Sequence, residues 1–351
     1  MAALSRQTSE TFRAANLIAI ALVVAIHYNS KHYIDVASGL GLNYYIQEWL
    51  TNSVARVAVP FFAFAAGFFY FLHFKNLDDY WLQLKKRIWS LFIPYGIAVS
   101  VVFLHDTSLT FLKGQPLDLS LVGLISLFFH PDSVQFWFLR DLILLVLILC
   151  PLIHVLMNRL PILTLSLLFL AWANEFQFFP RFFGWYLINV EVLFFFTVGC
   201  FFAQHPDKLE RLLEACLRHW TLLLFIFLIM TVARVVWAPQ FTVWYGVHGG
   251  GLGTLWLYKL TILAGLPALY IVARPIRNNR LVVWLSAFSF FIFLYHIKPV
   301  STVSFNLSSI ALSDSFLFYF TFPLAIILSV LAGWGLRVYF PKLYSFVSGG
   351  R

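Results

Sequence analysis

Charge is scarce in this sequence: Asp, Glu, Lys and Arg make up 11% of its 351 residues, whereas 61% are hydrophobic and the mean hydropathy is +0.84. That balance excludes an ordinary soluble domain and a disordered chain alike. Cysteine is scarce as well. Cys150, Cys200 and Cys216 stand far apart in apolar stretches with no CxxC pair, which argues against a disulfide framework and against zinc, so no metal is expected. Internal repeats, low-complexity tracts and a soluble segment are all missing. The first apolar run has no small-residue cleavage site behind it, so a retained helix is expected rather than a signal peptide. The formal charge of +9 is spread along the chain rather than gathered in a patch, which argues against nucleic acid as a partner.

What the chain has instead is a series of apolar runs, rich in its 40 phenylalanines and 12 tryptophans. Runs long enough to cross a bilayer fall near 14–33, 53–74, 88–105, 134–157, 161–174, 187–204, 219–237, 253–273, 281–298 and 315–338. The expected fold is an all-α integral membrane protein, a bundle of about ten transmembrane helices in one polytopic domain over 1–351. With the amino terminus placed in the cytoplasm, sixteen Lys and Arg fall on the inner side and eight on the outer. This asymmetry puts both termini inside.

Some outward charges lie within the apolar runs themselves. Arg56, Arg140, Arg234, Lys259 and Lys298 join Asp141, Glu191, His27 and His296 in the outer half, where such groups face a bundle interior or a wet cavity. Structural ion pairs and snorkelling side chains are the bland alternative for each of them. The first helix adds a geometric clue. Asn16 and His27 are eleven residues apart, so they share a helix face about 16 Å apart along the axis, with Arg13 about 40° off that line. Ala19, Ile20 and Val23 lie between them and would line a path from a polar inner end to an imidazole.

The stretches NLIAIALVVAIH ending at His27, ARVAVPFFAFAAGFFYF at 55–71, LKKRIWSLFIPY at 84–95, FWFLRDLILLVLILCPL at 136–152 and FSFFIFLYHIKPV at 288–300 appear in an order that resembles the membrane-bound acyltransferase 3 family. That resemblance implies about ten spans and transfer of an acyl group, usually acetyl from acetyl-CoA, to a sugar hydroxyl outside the membrane. It also implies an arginine and a histidine separated by ten residues. The histidine matches His27, but Asn16 occupies the arginine position, and an amide cannot replace a guanidinium that pairs with phosphate. Of the paired basic residues before the family's third helix, Arg87 matches the first and Ser90 stands at the second.

Acyl transfer needs a base for the attacking hydroxyl and a donor for the oxyanion. His27 is the candidate base, since neutral imidazole works near pH 7. His296 is expected at similar depth, to orient His27, contact the sugar or serve packing. Asp141 and Glu191 either accept sugar hydroxyls, orient a histidine, or pair with neighbours such as Arg140. Arg13, Asn16, Lys86 and Arg87 are candidates for the acetyl-CoA donor, though basic clusters are also what topology alone demands. Trp137, Trp185 and Trp244 either stack on sugars or form an interfacial belt. The stretch His248–Gly251, HGGG, is similar to a lipase oxyanion loop but lacks a GxSxG elbow, so an outer loop is the better reading.

The resulting expectation is an O-acetyltransferase of the bacterial cytoplasmic membrane. Its acceptor would be an exopolysaccharide or lipid-linked oligosaccharide, with the lipid bilayer and polysaccharide assembly machinery as further partners. A polysaccharide or glycolipid exporter sharing the helix pattern is the alternative.

Overall fold

The computed structural model describes residues 4–28, 41–74, 76–114, 135–182, 185–239, 251–311 and 314–350, with positions 120, 122, 125, 241 and 243. Expectations that fall on Trp244, on His248 and on the side chain of Trp185 lie outside the described residues, as do Lys31, Lys75 and Arg351 among the basic residues counted above.

The chain is helical nearly throughout. Helix α1 (Arg6–His27) begins where the Ser5 hydroxyl accepts the Thr8 amide at 3.1 Å, satisfying one of the free donors of the first turn. Helix α2 (Leu42–Glu48) runs without a loop through a π turn (Trp49–Ser53) and a 3-10 turn (Val54–Val57) into α3 (Ala58–Phe71). Another π turn, Ile88–Phe92, joins α4 (Asp79–Arg87) to α5 (Ile93–Leu112), and a third, Leu145–Leu149, joins α6 (Phe136–Leu144) to α7 (Cys150–Arg159). Helix α8 (Pro161–Ala173) leads to a two-residue hairpin of β1 (Arg181–Phe182) and β2 (Trp185–Tyr186), antiparallel with Arg181 opposite Tyr186. Then come α9 (Val190–Gln204), α10 (Pro206–Arg218), α11 (Trp220–Trp237) and α12 (Gly251–Ile276). The chain ends with α13 (Arg280–Ser286), α14 (Ser289–Tyr295), α15 (Val300–Ala311), α16 (Asp314–Tyr339) and α17 (Pro341–Val347). Proline opens α8, α10 and α17, where its missing N–H costs nothing.

Seven helical stretches among the described residues are long and apolar enough to cross a membrane: Arg6–His27, Leu42–Phe71, Asp79–Leu112, Phe136–Arg159, Trp220–Trp237, Gly251–Ile276 and Leu317–Tyr339. This is a multi-pass membrane architecture. The expected runs at 161–174 and 187–204 form helices of 13 and 15 residues. At 1.5 Å per residue they fall short of the roughly 30 Å apolar thickness of a bilayer. The expected run 281–298 is broken: α13 and α14 meet at a turn, where the Ala287 and Phe288 amides bond only three residues back, to Trp284 and Leu285.

Helix α1 lies inside the bundle, packed on α3, α12, α13, α14 and the turns at 49–57. Helices α3 and α9 cross at close range. A Cβ on Gly67 would stand 2.1 Å from the Phe196 carbonyl oxygen, and one on Gly199 would stand 2.3 Å from that of Phe64, so only glycine permits the two backbones to approach this far. Their contact fixes α3 beside α1.

The start of α1, α10, the end of α12 and the carboxyl-terminal turn gather at one end of the bundle. Glu210 accepts the Ser5 amide at 2.7 Å and the Thr8 hydroxyl at 2.6 Å, and Arg274 donates to Gln7 at 2.5 Å. The backbone of Gly349, at φ +72°, lies against Ser90 in the 88–92 turn. Arg13, Arg87 and Arg274 are therefore brought to one end by segments distant in sequence.

Candidate active site

A cavity of about 370 Å³ opens at this basic end. Its polar lining includes Arg13 and Asn16 from α1, Arg87 from the end of α4, and Ser289 from α14. Phe61, Phe62, Phe138 and Phe293 line its apolar part. Arg13 is exposed, and the guanidinium of Arg87 lies 5.6 Å from the centre of the Tyr70 ring, so that one face is occupied by an aromatic ring. The Ser289 hydroxyl is buried and has no partner among the described residues, and it lines a space where a ligand would supply one. Lys86 is exposed on α4 and does not line the cavity.

The face of α1 expected to carry a continuous path is interrupted. Ile20 lines the cavity, but Ala19 and Val23 are packed against neighbouring helices. Phe62, Phe138 and Phe293 close the inner end as a triangle of rings with centroids 6.1–6.3 Å apart. His27 lies seven residues beyond Ile20, about 10 Å further along the helix. Nothing local in α1 announces this plug, because its rings come from three separate helices.

Beyond the plug sit the two histidines. The rings of His27 and His296 are 5.4 Å apart and inclined at 42°, and Phe293 stands between cavity and histidines with its ring 6.3 Å from that of His296. His296 is fully buried at the carboxyl-terminal end of α14. Its Nδ1 lies 2.9 Å and 3.0 Å from the carbonyl oxygens of Ile292 and Phe293. Carbonyls only accept, so Nδ1 carries the proton and Nε2 presents a lone pair. Nε2 has no partner among the described residues. Tyr28 donates its hydroxyl to the His296 carbonyl oxygen, which ties the end of α1 to the end of α14 and holds the two imidazoles side by side.

The two acidic candidates are elsewhere occupied. Asp141 is fully buried: Oδ1 accepts from Arg140 Nη2 at 2.7 Å and Nε at 3.2 Å, and Oδ2 accepts the Asn189 amide at 2.9 Å. Arg140 also donates to the Tyr186 carbonyl at 2.6 Å, so the pair pins α6 to the hairpin that precedes α9. Glu191 accepts from the Trp172 indole at 3.0 Å and lies 4.0 Å from Lys259, whose ammonium also pairs with Glu175. Trp137 is buried rather than placed in an exposed belt. Among the described residues no group of His, Cys, Asp and Glu forms a metal site.

The arrangement thus consists of a basic-mouthed apolar cavity, an aromatic plug and a pair of imidazoles with a free basic nitrogen. A family model described as an acyltransferase domain matches residues 14–337. The chain belongs to that acyltransferase family. It is a membrane-bound O-acyltransferase, and the family match spans both the cavity and the histidine pair. The chain is similar to the succinoglycan biosynthesis protein ExoH of Rhizobium meliloti (strain 1021), with 26% identity over 356 aligned positions covering 96% of this chain and 91% of the relative. No solved structure matches the chain significantly.

Sequence reasoning missed Ser289 and the phenylalanine plug. Ser289 sits in FSFFIFLYH seven residues before His296, but a lone serine in an apolar helix carries no signal until its environment is known.

Proposed function

We propose that this acyltransferase moves an acetyl group from acetyl-CoA to a sugar hydroxyl of a bacterial exopolysaccharide or its lipid-linked repeat unit. It would act in the cytoplasmic membrane, with both chain termini inside. The observation that carries this reading is the His27–His296 pair, rings 5.4 Å apart, beyond a cavity whose mouth holds Arg13 and Arg87. The exopolysaccharide acceptor is supported by the relative that takes part in succinoglycan biosynthesis.

The cavity is at the small end of ligand pockets, which run roughly 300–1,000 Å³. It suits the slender thioester arm of the donor rather than the nucleotide. The phosphates would remain at the mouth, where Arg13 and Arg87 donate charge-assisted hydrogen bonds, Asn16 adds neutral ones, and exposed Lys86 strengthens the local field. Passage of the thioester to the histidines requires Phe62, Phe138 and Phe293 to part.

At the histidine pair, an imidazole nitrogen of His27 takes the proton as the acceptor oxygen attacks the thioester carbonyl. His296, with its tautomer fixed by the Ile292 and Phe293 carbonyls, holds its open Nε2 beside His27, where on substrate binding it would accept from the other His27 nitrogen and so keep the reacting nitrogen unprotonated. The tetrahedral intermediate collapses, the carbon–sulfur bond breaks, and the imidazolium returns its proton to the departing thiolate. The products are an O-acetyl sugar and free CoA thiol. Asp141 and Glu191 hold the shape of the site through their neighbours rather than touching the reactants.

Full-length protein in lipid nanodiscs, given acetyl-CoA labelled in the acetyl group and a lipid-linked oligosaccharide, is expected to label the glycan, and NMR of the product would locate the ester. Absence of label, combined with glycan that accumulates inside cells lacking the gene while keeping its normal acetyl content, would support the exporter instead.

A further inference from the structure

A second polar patch adjoins the histidines and is used by none of the steps above. The regular helix is interrupted at 49–57 by the π turn and the 3-10 turn, irregularities that frequently mark functional sites. Trp49 and Ser53 anchor these turns on α11, donating to the Thr231 hydroxyl at 3.0 Å and its carbonyl at 3.1 Å. The turns also pack on α1, and Arg56 lies within electrostatic reach of His27.

Asn52 is the hub. Its amide oxygen accepts Arg56 Nε at 3.0 Å, and its amide nitrogen donates to Glu48 at 2.5 Å and to the Phe241 carbonyl at 2.9 Å. Arg234 donates to that same carbonyl at 3.3 Å, and its guanidinium lies over the Tyr258 ring at 4.4 Å. Arg234 lies within electrostatic reach of Glu48 and Arg56 within reach of Glu191, but among the described residues neither guanidinium forms an ion pair. The neighbouring Lys259, by contrast, is matched by both Glu175 and Glu191.

What the patch has to spare is donors. Arg234 is 2% exposed, and its Nε has no partner among the described residues. Arg56 is half-buried, and among the described residues no carboxylate lies within ion-pair distance of it and its Nη atoms donate to nothing. Cations at this depth face a wet cavity or a counter-ion, and the two Nη atoms of an arginine match the two oxygens of a carboxylate.

We propose that Arg56, backed by Asn52 and Arg234, binds a carboxylate carried by a substrate of the histidine site. This rests on the acyl-transfer reading for what those substrates are. The carboxylate comes from one of two sources: an acidic sugar of the acceptor, or the free end of a dicarboxylic acyl group on the donor.

Equilibrium binding to the full chain in nanodiscs tests this without turnover, using two matched pairs of probes. A glucuronate-containing disaccharide is compared with its methyl ester, and succinyl-CoA with butyryl-CoA. In one pair the charged member should bind about 10-fold more tightly, the range for a charge-assisted hydrogen bond. Arg56→Gln should remove that preference while leaving the neutral probe unaffected, and Arg56→Lys should restore part of it. A preference in the sugar pair names the acceptor as the source; one in the thioester pair names the acyl group. Wild-type protein that prefers neither charged probe, or an Arg56→Gln variant that weakens charged and neutral probes alike, overturns the proposal. Labelled transfer measured on the same samples reports separately on the enzymatic reading.

Discussion

The buried carboxylates and the histidine pair of this protein differ in what surrounds them. Asp141 has three hydrogen bonds on its two oxygens, all from α6 and the start of α9. His296 has one nitrogen saturated by two carbonyls and the other without a partner among the described residues. A buried polar group whose capacity is filled holds a fold together, whereas one left open on a single, oriented atom leaves a place for a reactant. In the sequence His27 is the candidate base and Asp141 and Glu191 are acceptors of sugar hydroxyls, orienters of a histidine or structural partners; the hydrogen bonds each one makes separate these roles.

The strongest way to break that comparison is to remove the base. His27→Gln should lower acyl transfer by roughly 10²–10⁴-fold, the range of general-base catalysis, with detergent-solubilised protein still eluting as a folded species. Transfer retained within a few-fold of wild type would take His27 out of the chemistry.

Asp141→Asn should instead act on stability. It leaves the Arg140 guanidinium buried without its counter-charge, a change that costs roughly 3–5 kcal/mol, so a large fall in thermal midpoint is expected. Replacing both partners together, Arg140→Met with Asp141→Leu, should recover much of the loss. A single Asp141→Asn variant that melts normally yet fails to transfer would move Asp141 into the reacting site.

The helices were legible in the sequence because length and hydropathy are local properties. The seven long stretches follow the apolar runs, and the pairing of Arg140 with Asp141 could be anticipated from adjacency. The break at Ala287 could not, since the run continues through it without proline or glycine. In the site, His27 and His296 were legible as two imidazoles of similar depth, but their contact depends on Tyr28 reaching the backbone of another helix. The plug was illegible for the same reason that makes it effective: among forty phenylalanines, only tertiary packing selects Phe62, Phe138 and Phe293.

The cavity mouth sharpens the contrast from the other end, because its cations are open to ligand rather than to protein carboxylates. Arg87→Ala should raise the donor KM about 10-fold with little change in kcat, as expected when one charge-assisted hydrogen bond to a phosphate is lost. Arg13→Ala should do the same if it supplies the cation that Asn16 does not. An unchanged donor KM in Arg13→Ala would leave Arg87 as the principal donor contact.

The smallest effect concerns Asn16 itself. It lines the same cavity as Arg13, so both present donors to one space, and Asn16→Arg would add a third guanidinium beside Arg13 and Arg87. If the donor phosphates sit there, the added cation should lower the donor KM a few-fold and leave kcat intact, because it acts on binding at the mouth and not on the imidazoles beyond the plug. A fall in kcat with KM unchanged would mean that the longer side chain blocks the cavity on the way to Ile20. The thioester would then pass close to Asn16, and the amide would be there because the passage has no room for a guanidinium.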